Sequence, residues 1–363
     1  MKRQLQLFAS LILILFAFSA CENDDDKPAD LLPGYEKPGV LIVNEGNFGS
    51  GNGSLSWYNT QSQEISKNIF ESGNESRKIS ASIQSVTWYK NTAYLLCNKA
   101  DKIEVVNEKT YQALQAPIED EQLVSPRYFA GINNKGFVTV WGAFDENYTL
   151  PESKVAVIDL ENHSIKKFID VPSGPEGIIA LNDKIYIANS YTDIVTIIDP
   201  STEAIVKKLK TNTSPKHFAV DKNGQLWVIS TGGFAGGTPQ LQRINPETDE
   251  IEHSIDLAGT QATGNMAING SKDKIYFLGA EAYPSTTTHL FAVDITATEG
   301  PETSLLSGEN YYGLGIAPNS GDIYIADSNN YQGEGSVLIF NASGEAKNTI
   351  ASGVLPNSFL FKF

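Results

Sequence analysis

The chain has 363 residues, and its 43 acidic against 27 basic side chains give a formal net charge of −16, which disfavours nucleic acid and anionic lipid headgroups as partners. The four histidines lie too far apart for a zinc motif, and no G-x-S-x-G, P-loop or dinucleotide-binding motif occurs in a suitable place. We therefore expect a protein that is not an enzyme and that carries no cofactor or metal.

Residues 1–20 have the features of a secretory signal peptide. A short basic start is followed by an apolar stretch that is too short to span a membrane. The FSAC sequence that ends at Cys21 resembles the lipobox of bacterial lipoproteins, in which the cysteine becomes lipidated. We expect lipidation of Cys21 and membrane contact through this anchor only. The alternative is an ordinary signal peptide with an incidental cysteine.

Residues 21–38 are expected to form a lipidated acidic tether. The sequence ENDDD at positions 22–26 directly follows the cysteine, and a stretch with Pro and Gly leads to residue 38. At the least, such a segment is a solvated linker. The acidic run also resembles the export tag of lipoproteins displayed on Gram-negative cells. We therefore expect a lipid-anchored protein of the outer membrane that faces the cell exterior.

From residue 39 to residue 363 one strand–loop–strand pattern occurs seven times. The clearest copies are KIYIANSYTDIVTIIDP from Lys184, KIYFLGAEAYPSTTTHLFAVD from Lys274 and DIYIADSNNYQGEGSVLIFN from Asp322. Equivalent positions lie about 47 residues apart, a spacing that suits a four-stranded propeller blade. Alternating apolar and polar residues rich in Val, Ile and Tyr are typical of strands. The sequence predicts an all-β fold, a seven-bladed β-propeller with four strands per blade.

The same repeat predicts how the ring closes. In one unit the second, third and fourth strands are expected at 185–189, 194–199 and 204–209, and residues 217–220 form the innermost strand of the next blade. The chain begins on a second-type strand near Val40 and ends on an inner-type strand at 358–361. We expect this C-terminal strand to pair with the N-terminal blade, which removes two exposed sheet edges.

Two loop classes should emerge together on one face of the ring: the loops from second to third strands, and the connections into inner strands. Both classes are rich in aromatic and polar side chains, as a ligand-binding surface requires. Packing within individual loops is the alternative role for any single aromatic residue. The candidate ligand-binding residues are Gln84, Arg127, Trp141, Lys216, Phe234, Asn265, Tyr311, Tyr312, Tyr331 and Asn357.

Other polar residues have simpler explanations. Asn44, Asn189 and Asp327 end equivalent second strands, where they could hold calcium but are expected to cap the following turns. Cys97 lies in a strand pattern and is expected to be a buried, unreactive thiol.

Two stretches carry a family resemblance. IYIANSYTDIVTIIDPSTEAIVKKL is similar to the YVTN-type propeller repeat, and GVLIVNEGNFGSGNGSLSWYN at residues 39–59 resembles the start of certain lipid-anchored surface propellers. Known members of that second group bind cobalamin and pass it to a TonB-dependent outer-membrane transporter. The resemblance implies corrinoid capture at the loop-rich face and transfer to such a transporter, without catalysis.

Two other functions stay open at this point. A surface propeller of this kind could bind another ligand, such as a glycan, a peptide or a partner protein. A metal-dependent lactonase or lyase is the third possibility, disfavoured by the small number of titratable candidates.

Overall fold

A computed structural model describes residues 34–35, 38–233 and 236–363. The predicted signal peptide, Cys21, the acidic run at 22–26 and the candidate residue Phe234 therefore lie outside the described residues. Within the described ranges, no helix is both long enough and apolar enough to cross a membrane.

The described residues form seven sheets of four antiparallel strands, which confirms the predicted fold. Blade 1 consists of β1 (Gly39–Asn44), β2 (Ser54–Asn59), β3 (Ile65–Ser66) and the last strand, β28 (Pro356–Lys362). Blade 2 consists of β4 (Ile83–Tyr89), β5 (Thr92–Cys97), β6 (Lys102–Asn107) and β7 (Ile118–Glu119). Blade 3 consists of β8 (Pro126–Ile132), β9 (Lys135–Val140), β10 (Lys154–Asp159) and β11 (Ser164–Asp170). Blade 4 consists of β12 (Pro175–Leu181), β13 (Lys184–Asn189), β14 (Ile194–Asp199) and β15 (Ala204–Lys210).

Blades 5 to 7 follow the same order. Blade 5 consists of β16 (Pro215–Val220), β17 (Leu226–Ser230), β18 (Gln240–Asn245) and β19 (Glu250–Asp256). Blade 6 consists of β20 (Ala262–Ile268), β21 (Lys274–Ala280), β22 (Thr287–Asp294) and β23 (Leu306–Glu309). Blade 7 consists of β24 (Tyr311–Ile316), β25 (Ile323–Asp327), β26 (Glu334–Phe340) and β27 (Ala346–Val354). The helix α1 (Ile69–Gly73) and a 3₁₀ turn at Asn329–Tyr331 lie in connecting segments.

Each sheet buries both of its faces against its two neighbours. In β13, Ile185 and Ile187 pack into the core shared with blade 3, while Tyr186 between them packs into the core shared with blade 5. All three side chains are fully buried. Because alternate residues of a strand point to opposite faces, an apolar run on a second strand serves two cores at once.

Pairing of the two ends of the propeller closes the ring as predicted. β28 lies against β1 with Val40 opposite Phe361 and Ile42 opposite Phe359. Both phenylalanines also pack against Tyr324 of blade 7. The ring centroid of Tyr324 lies 5.8 Å from that of Phe359 and 5.2 Å from that of Phe361. β28 is therefore the inner strand of blade 1 and a packing surface for blade 7.

Ion pairs join neighbouring blades on the face that carries the turns between third and outer strands, called here the lower face. The Glu203 carboxylate of blade 4 forms ion pairs with Lys135 and Lys166 of blade 3, each with an N–O distance of 2.7 Å. Burial alone would raise the pKa of Glu203, but these two lysines lower the pKa to about 2. Between blades 4 and 5, Lys184 lies 2.7 Å from Asp249.

Closure gives the first testable prediction. Deleting residues 355–363 removes β28, so blade 1 loses its inner strand and blade 7 loses an apolar neighbour. We expect the truncated protein to aggregate or to lose its single cooperative thermal transition, measured by circular dichroism together with size-exclusion chromatography. A truncated protein that melts like the full chain would refute closure by β28.

Candidate functional site

Three depressions lie side by side on the upper face, the face that carries the loops from second to third strands and the connections into inner strands. The central pocket, of about 370 Å³, lies between the inner strands. The off-axis cavity, of about 710 Å³, is lined by loops of blades 3 to 6. The rim groove, of about 440 Å³, lies between blades 6 and 7.

The depressions share walls. Lys216 and Thr263 line both the off-axis cavity and the central pocket. Tyr312 lines both the central pocket and the rim groove. The three depressions therefore adjoin one another across the upper face, and together they are called here the trough.

Nine of the ten predicted ligand-binding residues line this trough, and the tenth, Phe234, lies outside the described residues. Those at the central pocket are Gln84, Arg127, Lys216, Asn265, Tyr312 and Asn357. Trp141 and Lys216 line the off-axis cavity, and Tyr311, Tyr312 and Tyr331 line the rim groove. The inner strands bring most of the central group together, because each contributes residues from its upper end to the channel.

A buried ion pair forms one wall of the central pocket. The Arg127 guanidinium donates to a Glu176 carboxylate oxygen at 2.7 Å, and the two side chains are 14% and 4% exposed. The guanidinium also lies 4.0 Å from the ring centroid of Trp141. Burial alone would raise the pKa of Glu176, but the charges of Arg127 and Lys216 outweigh it and lower the pKa. Glu176 is therefore held as a carboxylate.

These contacts change the interpretation of Arg127. Its charge is already paired and its planar face already stacked, so its main task is to fix Glu176 and Trp141 in place. The other Glu176 oxygen, Oε2, is buried without a hydrogen-bond partner among the described residues.

The structure adds Glu45, which was not among the candidates. Its carboxylate accepts the Tyr312 hydroxyl at 2.8 Å and the Asn357 side-chain amide at 3.3 Å. Burial raises the pKa of Glu45, although these two hydrogen bonds act in the opposite direction. Glu45 follows β1 in a glycine-rich loop, and nothing in the local sequence distinguishes it from other loop carboxylates.

Amide, phenol and imidazole groups complete the central pocket. Tyr128 lies with its hydroxyl 3.3 Å from the Gln84 amide nitrogen and 3.5 Å from the His217 ring. Burial lowers the pKa of His217 to about 4, so the imidazole is neutral at neutral pH. Asn265 donates to the backbone carbonyl of Tyr312 at 2.6 Å. The pocket thus presents polar groups of several kinds within a small volume.

Exposed aromatic side chains surround the trough. Among the described residues, five of the seven large apolar side chains that are exposed lie in loops of the upper face: Phe48, Phe144, Tyr148, Tyr283 and Tyr331. Tyr283 and Tyr331 border the rim groove, while Tyr311 beside them is 8% exposed and packs mainly into the core of blades 6 and 7. These side chains belong to loops of blades 1, 3, 6 and 7, so they lie around the trough and not in a single patch.

Among the residues weighed as calcium ligands, Asp327 caps the following turn as expected, whereas the expectation is wrong for Asn44 and Asn189, whose side chains bind other segments of the chain. Asn44 accepts from Ser352 at 2.6 Å, Asn189 donates to the Pro172 carbonyl at 2.6 Å, and Asp327 caps the next turn by accepting the backbone N–H of Asn329 at 2.8 Å. In the part of the chain that the structure describes, no group of three or more His, Cys, Asp or Glu residues is arranged to hold a metal ion. Cys97 is fully buried, and burial raises its pKa to about 12.

Comparison with known proteins identifies one family by sequence. The family described as Domain of unknown function (DUF5074) matches residues 38–362, a range that spans the whole propeller. No curated protein matches the sequence.

Solved structures share the fold at low sequence identity. A quinoprotein alcohol dehydrogenase-like protein from Bacteroides thetaiotaomicron is 14% identical with a TM-score of 0.68, covering 90% of this chain and 79% of that chain. A periplasmic gluconolactonase from Pseudomonas aeruginosa is 14% identical with a TM-score of 0.63, covering 90% and 99%. Hydrazine synthase from Kuenenia stuttgartiensis is 13% identical with a TM-score of 0.60, covering 76% and 88%. Such different proteins show that the fold is shared and that function must be argued from the site.

The Arg127–Glu176 pair gives the second prediction. Arg127→Met should destabilise the fold by about 3–5 kcal/mol, because it leaves a buried carboxylate without its counter-charge. The double change Arg127→Met with Glu176→Met should recover most of that loss, since no buried charge is then unpaired. Urea denaturation measures both effects. Lys210→Met, which breaks an exposed pair with Asp193, should cost under about 1 kcal/mol. Equal losses of unfolding free energy in all three variants would contradict the assignment of Arg127 as the buried counter-charge of Glu176.

Proposed function

Since the chain belongs to the DUF5074 family and carries three adjoining depressions on the upper face of its propeller, we propose that it is a lipid-anchored surface protein that captures a corrinoid and passes it to a TonB-dependent outer-membrane transporter. The protein binds and transfers the ligand without changing it chemically.

The adjacency of the three depressions is the observation that carries this proposal. A corrinoid is a wide, nearly flat ring with amide arms and a bulky nucleotide tail, so it needs a binding surface larger than one ordinary pocket. Each depression alone has the size of a small-molecule site. Lys216, Thr263 and Tyr312 are shared walls, and we propose that one ligand extends past them to contact neighbouring depressions together.

The lining suits the chemistry of such a ring. Trp141 and Tyr331 offer aromatic surface on opposite sides of the central pocket, and aromatic faces pack well against flat apolar rings. The amides of Gln84, Asn265 and Asn357 can exchange hydrogen bonds with amide arms. The two kinds of group together favour a ligand with a flat body and an amide-rich edge.

Transfer to a transporter requires a surface that a partner can contact while the ligand is bound. The exposed side chains of Phe48, Phe144, Tyr148 and Tyr283 surround the trough and supply such a surface. The resemblance of the N-terminal region to surface lipoproteins supports a location on the outer membrane, where the transporter lies.

Lactone hydrolysis is the second candidate function, because two carboxyl groups with opposite pKa shifts line the same pocket. Burial raises the pKa of Glu45, whereas Glu176 is held ionised by Arg127, and such a pair can divide acid and base roles. The fold likeness to a gluconolactonase is consistent with this activity. Turnover of gluconolactone that is lost in Glu45→Gln and Glu176→Gln would favour hydrolysis over capture.

The third prediction concerns ligand binding. Isothermal titration of the purified protein with cyanocobalamin should give a saturable heat. Trp141→Ala and Tyr331→Ala should each weaken binding by about 2 kcal/mol, or roughly thirtyfold, because each removes a large aromatic contact from the trough.

Two matched variants control this experiment. Phe48→Ala removes an aromatic side chain from the same face but outside the trough, and Asp199→Ala changes a turn on the lower face. Neither should alter affinity. No heat with any corrinoid would reject the ligand, and losses confined to the two control variants would reject the trough as the site.

The fourth prediction concerns the anchor. Cys21→Ser should abolish lipid attachment, because serine has no thiol to form the thioether. Metabolic labelling with palmitate measures attachment directly, and Cys97→Ser is the matched control that should keep the label. A Cys21→Ser protein that still carries label would reject the proposed anchor.

A further inference from the structure

Lys216 is the one charged residue among the described residues that line the off-axis cavity. The other lining residues are small, hydroxylated, amide-bearing or aromatic. Within the described ranges, the Lys216 ammonium makes no hydrogen bond and no ion pair within 4 Å, although its charge contributes to the lowered pKa of Glu176. A cavity whose only charge is positive is unusual in a protein with a formal net charge of −16.

The first part of the Lys216 side chain packs against a glycine. Gly264 has a φ of +98°, and a Cβ built there would lie 2.6 Å from Cγ of Lys216. The glycine therefore allows the backbone of β20 to pack directly against the lysine side chain. The contact places the first part of the lysine side chain at the wall shared by the off-axis cavity and the central pocket.

Hydrogen-bond donors surround the same cavity. Ser214, Thr231 and Thr238, which carry hydroxyl groups, are among its lining residues. The indole N–H of Trp141 is buried without an acceptor among the described residues. A cation with neutral donors near it is an arrangement that suits an anionic oxygen group.

From this geometry we infer that the off-axis cavity binds the phosphodiester of a corrinoid's nucleotide tail, with Lys216 as its counter-ion, while the corrin ring lies over the central pocket. This inference rests on the proposed function. The phosphodiester is the anionic group of the tail, and the tail leaves the ring on one side, as the off-axis cavity leaves the central pocket. Lys216 lies between the two positions and can reach the phosphate without displacing the ring.

Two corrinoids separate the tail from the ring in a direct test. Cyanocobalamin carries the nucleotide tail, and dicyanocobinamide has the same ring without the tail or its phosphate. Lys216→Met keeps the length of the side chain but removes the charge, and should weaken cyanocobalamin binding at least tenfold while leaving dicyanocobinamide binding unchanged. Lys99→Met, which removes an upper-face lysine outside the trough, should change neither affinity.

Two further variants test the position of the charge. Lys216→Arg should keep most of the preference for cyanocobalamin, because the cation is retained. Gly264→Ala should reduce that preference by displacing the lysine stem. Raising the salt concentration should weaken cyanocobalamin binding by the wild-type protein more than binding by Lys216→Met, because salt screens the charge pair.

The outcomes distinguish this inference from the proposed function. Equal loss of both ligands in Lys216→Met, with unchanged thermal stability, would place Lys216 under the ring and overturn the phosphodiester assignment while leaving corrinoid capture intact. Binding of both ligands by Lys216→Met at wild-type affinity would also overturn it. Failure of the wild-type protein to bind either corrinoid would overturn the proposed function, and the inference with it.

Discussion

Every blade of this protein depends on burial of both faces of its sheet. A four-stranded sheet with apolar residues on both faces cannot be stable alone in water, because only one face could be covered by its own loops. The alternation of Ile185 and Ile187 with Tyr186 shows how one strand supplies two cores. Seven sheets in a closed ring satisfy this requirement for all members, and the ring then holds seven inner strands around one axis. The trough on the upper face follows from that arrangement, since the ring collects residues that are far apart in sequence.

The fold could be predicted from the sequence because the repeat carries its own redundancy. Residues 185–189, 194–199 and 204–209 fall within β13, β14 and β15, and the inner-type strand at 358–361 pairs with β1. Even the upper-face location of most candidate residues follows from strand order alone. Any local error in one repeat is corrected by the six others.

The chemistry of the site could be predicted only in part. Glu45 acquires its role from Tyr312 and Asn357, which are 267 and 312 residues away along the chain, so no local pattern identifies it. Likewise, the sequence identifies Arg127 as a candidate ligand-binding residue, whereas the fold pairs its guanidinium with Glu176 and stacks it on Trp141. Charge pairing across blades is a tertiary property. Lys216, like Arg127, follows a proline at the start of an inner strand. The fold gives Lys216 no such ion pair among the described residues and places it in the lining of the off-axis cavity.

The pairing of β28 with β1 also sets the order in which the protein can fold. β1 and β28 are separated in sequence by nearly the whole propeller. Bringing such distant segments together costs conformational entropy, so we expect this contact to form late in folding. Until the final strand has been made, blade 1 lacks its inner strand, so the edge of β1 is open to pairing with other chains and blade 7 lacks an apolar neighbour. We therefore expect the last step of folding to be slow and the step most exposed to aggregation. Once closed, the ring resists unfolding from either end, because neither terminal strand is left free to peel away.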